Sequence, residues 1–280
     1  MSQQSEARKA RRGADRIRER LSYANVIATV ALFIALGGSA YALSRGEVKS
    51  KHLANNAVTT KKIKNNAVTA PKLACKGNSA DDVMVRAGSV CIDRYEASIW
   101  DAKTGGSRIT GAIPCDANGQ NCKGKIFARS VKGVAPRADI TYFQAQQALA
   151  NSGKRLPSNA EWQQAVAGTP DSAACNVSTG SVANTGANPG CVSSHGASDM
   201  VGNLWEWVGD WVPRSTDCGS WPAGYGDDKQ CLAGAATTRA PGILRRGGNF
   251  GVGTSAGPFA VLGYDEPSDS SVYIGFRGAR

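Results

Sequence analysis

The sequence predicts an α+β head with little regular secondary structure, carried behind an apolar N-terminal helix and a short repeat stalk. Three observations lead there. An arginine-rich start is followed by a polar-poor run from Val26 to Leu43. Next comes a stretch in which an apolar residue recurs every five positions. From residue 75 onward the chain is rich in Gly, Ser, Asn and Trp, with short apolar runs and two segments that read as helices. The resulting divisions are a basic cytoplasmic tail at 1–22, an apolar anchor or signal helix at 23–43, a stalk at 44–74 and a head at 75–280. With 280 residues, 41% of them hydrophobic and 20% charged, the chain supports one substantial domain plus an extension, and disorder throughout is excluded.

A formal net charge of +11 suggests a nucleic-acid partner until its distribution is examined. Residues 1–74 hold 14 Lys/Arg and 4 Asp/Glu, so they carry +10 of it, while the head holds the remaining 19 and 18. The head is nearly neutral, which argues against nucleic-acid binding by the folded part.

Arg8, Lys9, Arg11, Arg12, Arg16, Arg18 and Arg20 precede the apolar run, the order of a charged region and a hydrophobic segment that directs export. About 20 apolar residues cross a ~30 Å hydrocarbon core. The run is at the short end, with Gly37, Gly38 and Ser39 in its last third. We read it as an uncleaved anchor. The rival reading is a cleaved signal peptide, because Ala40-Tyr41-Ala42 has the small-x-small form of a cleavage site. In the first case the basic flank keeps the N-terminus cytoplasmic and the head is extracellular at the cell membrane; in the second it is secreted.

Val48, Leu53, Val58, Ile63, Val68 and Leu73 recur at intervals of five. That period fits neither a 3.6-residue helix nor a two-residue strand. It suggests a solenoid-like stem or one that buries its apolar residues between chains of a homo-oligomer; a Lys-rich flexible spacer is the alternative. All eight cysteines lie beyond the apolar run, an even number in a disulfide-permissive compartment. They fall in four near-neighbour pairs, for which short-range bridges are the simplest assignment. The spacings are too long and irregular for a zinc site.

The two helices are expected near Thr141–Ser152 and Ser158–Ala167. The second has a legible start, with Ser158 as N-cap and Glu161 at N3 forming a capping box before Trp162. Around it lie Lys154-Arg155-Leu156-Pro157-Ser158-Asn159-Ala160-Glu161-Trp162, then Asp199-Met200-Val201-Gly202-Asn203-Leu204-Trp205-Glu206-Trp207, Arg246-Gly247-Gly248-Asn249-Phe250 and Ile274-Gly275-Phe276-Arg277. Taken together and in this order, these strings resemble the signatures of the formylglycine-generating-enzyme (sulfatase-modifying factor) family. The resemblance implies a C-type-lectin-like fold for roughly 85–280, with few helices and a small antiparallel sheet. It also implies structural calcium at Asn203 and Glu206 with the carbonyls of Val201 and Leu204, a donor set suited to a hard cation. Trp205, Trp207 and Trp211 are expected in the core, and Arg277 in a buried ion pair or carbonyl contacts.

The oxidase of this family carries two copper-binding cysteines shortly after the motif matched by Arg246–Phe250. Here Gly251 to Phe259 contains none, and no other side chain replaces a thiolate for copper and sulfur chemistry. Non-haem iron needs two histidines and a carboxylate, yet the chain has His52, in the stalk, and His195. No catalytic residues, copper or iron are therefore expected.

Residues 246–280 also resemble the variable regions of proteins diversified by retroelements, in which a fixed frame surrounds positions templated by Asn codons and mutated at adenines. The positions between the frame residues are Gly251, Val252, Ser255, Val261, Leu262, Gly263, Tyr264, Asp265, Asp269, Ser271, Val272 and Tyr273. Their mixture of small, aromatic and acidic types suits an adaptable binding surface, with Phe250, Phe259, Ile274 and Phe276 as its buried frame. The reading is an exported surface protein binding an unknown protein or glycan. The alternative is an exported oxidoreductase-like enzyme of the same family with altered chemistry.

Overall fold

The computed structural model describes residues 26–32, 75–222, 224–238 and 241–280. The chain divides into two units, Met1–Thr69 and Ala70–Arg280. In the first, residues 26–32 form a helical segment. Among the described residues no helix is long and apolar enough to cross a membrane. The basic tail, the rest of the apolar run and the stalk with its five-residue repeat lie outside the described residues.

The second unit is mostly β. Strands β1 (Met84–Ala87) and β2 (Val90–Asp93) form one antiparallel ribbon, and β3 (Ser98–Trp100) and β4 (Phe127–Arg129) another. Helices α1 (Tyr142–Asn151) and α2 (Asn159–Ala165) follow. Then come β5 (Trp205–Val212), β6 (Asp217–Ser220), β7 (Lys229–Ala233), β8 (Gly242–Arg246), β9 (Val261–Leu262) and β10 (Ile274–Phe276). These last six make a single sheet in the order β10-β5-β8-β9-β7-β6. The expected antiparallel sheet is in fact mixed: β10 runs parallel to β5, and β9 parallel to β7. Both parallel pairs recruit the C-terminal segment, whose two short strands return to the sheet from long connections.

Each helix starts where a side chain can satisfy free backbone N–H groups. Ser158 Oγ accepts from the Glu161 amide and the Glu161 carboxylate accepts from the Ser158 amide, as the sequence suggested. Thr141 and Gln144 repeat the device at α1. Strand β8 is buried along its whole length, Arg245 and Arg246 included, the pattern of a central strand covered on both faces. Two apolar clusters flank the sheet. One gathers Ile99, Ile126, Ile140, Leu149, Trp207 and Phe276, and the other Ile92, Trp162, Val166, Met200, Val208 and Leu244. Trp205 and Trp207 are buried as expected, but Trp211 is 49% exposed. The first half of β5 is covered and the second half, residues 209–212, is not; a bulge separates the two, with Trp207 opposite Arg245 and Trp211 opposite Ile243. Trp211 is turned onto the edge of Tyr142, at 5.5 Å between ring centroids.

All eight cysteines are paired, Cys75–Cys91, Cys115–Cys122, Cys175–Cys191 and Cys218–Cys231. These are the near-neighbour bridges expected, and four of them suit an oxidising compartment.

Candidate functional site

The C-terminal segment builds a cleft on the sheet. After β8 the chain turns at Gly247 and Gly248, both at φ +90°. A Cβ on Gly247 would lie 2.6 Å from the Met200 carbonyl oxygen, and one on Gly248 2.2 Å from Ala256 Cβ, so neither position admits a side chain. The turn lets the Phe250 amide donate to the Asn203 carbonyl at 3.1 Å and buries Phe250. The chain then passes through a 3-10 turn at Gly253–Ser255, fills the sheet as β9, leaves it for a loop at 263–273, and returns as β10. Between this loop and the strands lies a space of about 450 Å³. Trp205, Leu262 and Ile274 contribute buried apolar surface to it, and Tyr264 and Tyr273 contribute aromatic surface.

Arg245 organises the polar side of the cleft. Its guanidinium lies 5.2 Å from the Trp205 ring centroid and 5.1 Å from that of Tyr264, and it donates to Tyr264 Oη at 2.7 Å. Arg245 Nε and Asp265 Oδ2 are 2.8 Å apart. The angle there does not make a hydrogen bond, so this is a contact of charges. Burial raises the Asp265 pKa, against the pull of Arg245. A buried arginine stacked between two rings presents a rigid polar plane to anything entering the cleft.

Seven of the twelve positions expected to bind ligand come together here: Val252, Leu262, Tyr264, Asp265, Asp269, Ser271 and Tyr273. Gly251 and Val272 are exposed but do not line the cleft, and neither does half-buried Ser255. Val261 and Gly263 are buried, Val261 within β9 and Gly263 just past it, and offer no surface. Asp265 and Tyr264 are half-buried rather than fully exposed, because Arg245 draws both inward. Of the expected frame, Phe250, Ile274 and Phe276 are buried, whereas Phe259 is only half-buried. Sequence reasoning missed Lys229, Arg245, Asn249 and Ser270, and placed Trp205 solely in the core. Arg245 directly precedes the Arg246-Gly247-Gly248 motif, but nothing in that string marks it as a cleft residue.

The second motif region is a buried charge web. Arg277 donates from Nε and Nη2 to the two oxygens of Glu206 at 2.6 and 2.5 Å, and Trp162 Nε1 adds a bond of 2.7 Å to Oε2. The same guanidinium reaches the carbonyls of Asp93 and Ser198, each at 3.0 Å. Asn203 Oδ1 accepts from Asn176 Nδ2 at 2.9 Å and from the Ala183 amide at 2.8 Å, and its Nδ2 donates to Glu96. These contacts bear on the calcium expected at Val201, Asn203, Leu204 and Glu206. The oxygens of both side chains are already met by donors, with Arg277 supplying the positive charge beside Glu206, so the side chains as arranged do not fit a cation. Burial raises Glu96 well above the usual carboxylate range and Asp199 to about 6. Lys154 is similarly enclosed, with Nζ 2.6 Å from Asp82 and 2.7 Å from Asp93.

For catalysis the positions offer little. Every thiol is consumed in a disulfide. His195 sits half-buried in a loop, its backbone amide donating to Ser193 Oγ at 3.3 Å. Among the described residues no three His, Cys, Asp or Glu side chains gather to hold a metal.

Comparison with known proteins gives three results. Solved structures that align with the head include the Major Tropism Determinant P3c variant, with a TM-score of 0.47 and 22% identity over 70% of this chain and 51% of that one. The Treponema denticola variable protein 1 aligns with a TM-score of 0.41 and 15% identity, over 68% and 84%. Among curated sequences, hercynine oxygenase of Mycolicibacterium smegmatis is 31% identical over 142 residues, 41% of this chain and 33% of its own. That of Mycobacterium tuberculosis is 30% identical over 134 residues, 39% and 31%. The chain thus spans about a third of the length of the curated relatives it matches. The family described as Sulfatase-modifying factor enzyme 1-like domain matches residues 39–280. With its signature strings placed at the sheet, turn and charge web just described, the chain belongs to this sulfatase-modifying factor family.

Proposed function

We propose that the chain is an exported, surface-displayed binding protein whose head holds a protein or glycan ligand in the cleft lined by Tyr264, Tyr273, Asp265 and Arg245. One observation carries this reading: positions scattered over residues 252–273 converge on a single cleft, while the frame residues that bracket them, Phe250, Ile274 and Phe276, are buried. Tyrosines with two stiff torsions beside Ser and Asp are the composition of an adaptable paratope. In this reading the apolar run tethers the chain to the membrane, the stalk raises the head or joins it to copies of itself, and nucleic acid is no partner. The test is to probe arrays of glycans and cell-surface proteins with the full chain and with Tyr273→Ala and Asp269→Ala. Whatever the parent captures should be lost by both variants. Capture that survives both substitutions places binding elsewhere.

A second reading, an enzyme of altered chemistry, is favoured by the 31% identity to hercynine oxygenase. Against it stand the thiol-free stretch Gly251–Phe259 and the pair of histidines in the whole chain. Incubation of the full chain with hercynine, ferrous iron and oxygen should give no product, and turnover above a metal-free control would replace the binding reading.

A further inference from the structure

A second cleft, of about 500 Å³, lies between residues 108–112 and 135–139 and is lined by none of the tail residues, though it borders them at Asp139. Its buried base is Ser98 and Ile99 of β3. The two walls are braced by a reciprocal pair of bonds. Arg108 Nη1 reaches from one wall to the Ala135 carbonyl at 3.0 Å. Arg137 Nη1 reaches back to the Gly111 carbonyl at 2.8 Å. The Arg137 amide is tied to the Ala97 carbonyl and that of Ile109 to Ile99, so both guanidinium groups are held by strand-anchored backbone.

Neither guanidinium has a carboxylate within ion-pair distance among the described residues. This sets them apart from Arg129, Arg155, Arg245 and Arg277, which pair with Asp81, Glu161, Asp265 and Glu206. Each guanidinium has five donors, and a single bond is made by each here. The Nε of Arg137 is buried with no hydrogen-bond partner, and burial lowers the pKa of this group. The one acid in the lining, Asp139, accepts from Ser270 Oγ at 2.8 Å and offsets part of the charge. Two half-buried, unpaired guanidinium forks on opposite walls of one cleft are a donor array without its acceptor. Buried donors left unsatisfied are destabilising, and planar forks match the oxygens of carboxylate and phosphate.

We propose that this cleft is an oxyanion subsite, taking a phosphate, sulfate or carboxylate group between Arg108 and Arg137. The proposal rests on residues outside 246–280 and stands whether or not the tail binds a ligand. An acidic sugar, a sulfated glycan or a phosphorylated surface group would each present the required oxygens.

The test is isothermal titration of the full chain with inorganic phosphate, sulfate and glucuronate at constant ionic strength, with chloride as the control anion. The Nε–Hε NMR resonance of Arg137 is followed in parallel. At least one oxyanion should bind saturably and move that resonance, and which one binds identifies the source. Arg108→Gln keeps a donor for the Ala135 carbonyl but removes the charge, and should weaken binding at least tenfold. Because Arg108 braces the fold, a second variant is needed. Ala112→Glu places a carboxylate at an exposed lining position, leaves both arginines intact, and should weaken binding to a similar degree. No saturable response beyond chloride overturns the proposal, and so does binding that Ala112→Glu leaves unchanged.

Discussion

Within the last 35 residues, two kinds of position share one stretch of chain and meet opposite environments. Ile274, Phe276 and Arg277 are sealed in the sheet and charge web, while Val272 and Tyr273, one or two residues earlier, are 58% and 45% exposed. The division lies at the strand boundary, where Ile274 pairs with Trp205. The same contrast separates the two arginine–carboxylate pairs. Glu206–Arg277 has no solvent access and five further or bidentate contacts, whereas Arg245–Asp265 opens onto a cleft. The first pair holds the architecture, and the second is the one that the proposed binding reading assigns to a ligand. A domain that separates these tasks can change its surface without disturbing its core.

The strongest way to break this comparison is to remove one half of the buried pair. Arg277→Met leaves Glu206 buried with only Trp162 as a donor, and the loss of one partner of a buried ion pair costs about 3–5 kcal/mol. Denaturant unfolding should show that loss, or the variant should fail to fold. A loss below about 1 kcal/mol would mean that the web is not what secures the frame.

The next effect is in pH. The Asp199 carboxyl is raised from 3.8 to about 6, chiefly by burial. Its folded pKa exceeds the unfolded one, so its contribution to stability is complete below about pH 3.8 and is lost as pH rises through about 6. Asp199→Asn removes this dependence. The stability difference between parent and variant should shift by up to about 3 kcal/mol between pH 4 and pH 7, against the parent, given ~1.4 kcal/mol per unit. A difference that stays constant over that window would show that Asp199 ionises in the fold as it does in water.

Local signals were legible in the sequence, and long-range ones were not. The Ser158–Glu161 box marks its helix because both partners lie within one turn, and the disulfides join cysteines 7 to 16 residues apart. Phe250, Ile274 and Phe276 were recognisable as frame from their place in the motif strings. Trp211 was not: it shares a face with buried Trp207 by alternation, and its exposure comes from the loss of cover over the second half of β5, which no local pattern reports. Strand β9 has two residues, too few for any alternation to register, so Val261 and Gly263 read as surface. Arg245 belongs to the cleft through stacking on Trp205 and Tyr264, partners that no local pattern joins to it.

Truncations in the cleft sharpen the contrast at smaller cost. Tyr264 is half-buried and bonded to Arg245, so Tyr264→Ala should cost about 1–3 kcal/mol through lost packing and an unpaired donor. Tyr273 is exposed and touches Phe250 at 5.3 Å between centroids, and Tyr273→Ala should cost about 0.5–1 kcal/mol. Both should nonetheless weaken binding by about 2 kcal/mol or more, as aromatic anchors in a central cleft do. A Tyr273→Ala variant as unstable as Tyr264→Ala would make Tyr273 part of the frame.

The smallest expected effect is that of calcium. In the charge web Glu96, Asp199 and Glu206 lie close enough to Arg277 for each to influence its ionisation. Glu96 is held toward its neutral form by burial and by its two acidic neighbours, which lowers the negative charge that any cation would neutralise. Glu206 already has three donors and Asn203 Oδ1 two, so an entering ion would have to displace the protein's own bonds before forming its own. An ion bound only by the folded state would raise Tm by mass action. Adding chelator to the full chain should therefore leave Tm unchanged within about 1 °C, a shift that corresponds to only a few tenths of a kcal/mol for a head of this size. A drop of several degrees, restored by calcium, would mean that Arg277 swings away from Glu206 when the ion binds, and that the buried pair is one of two states of the frame.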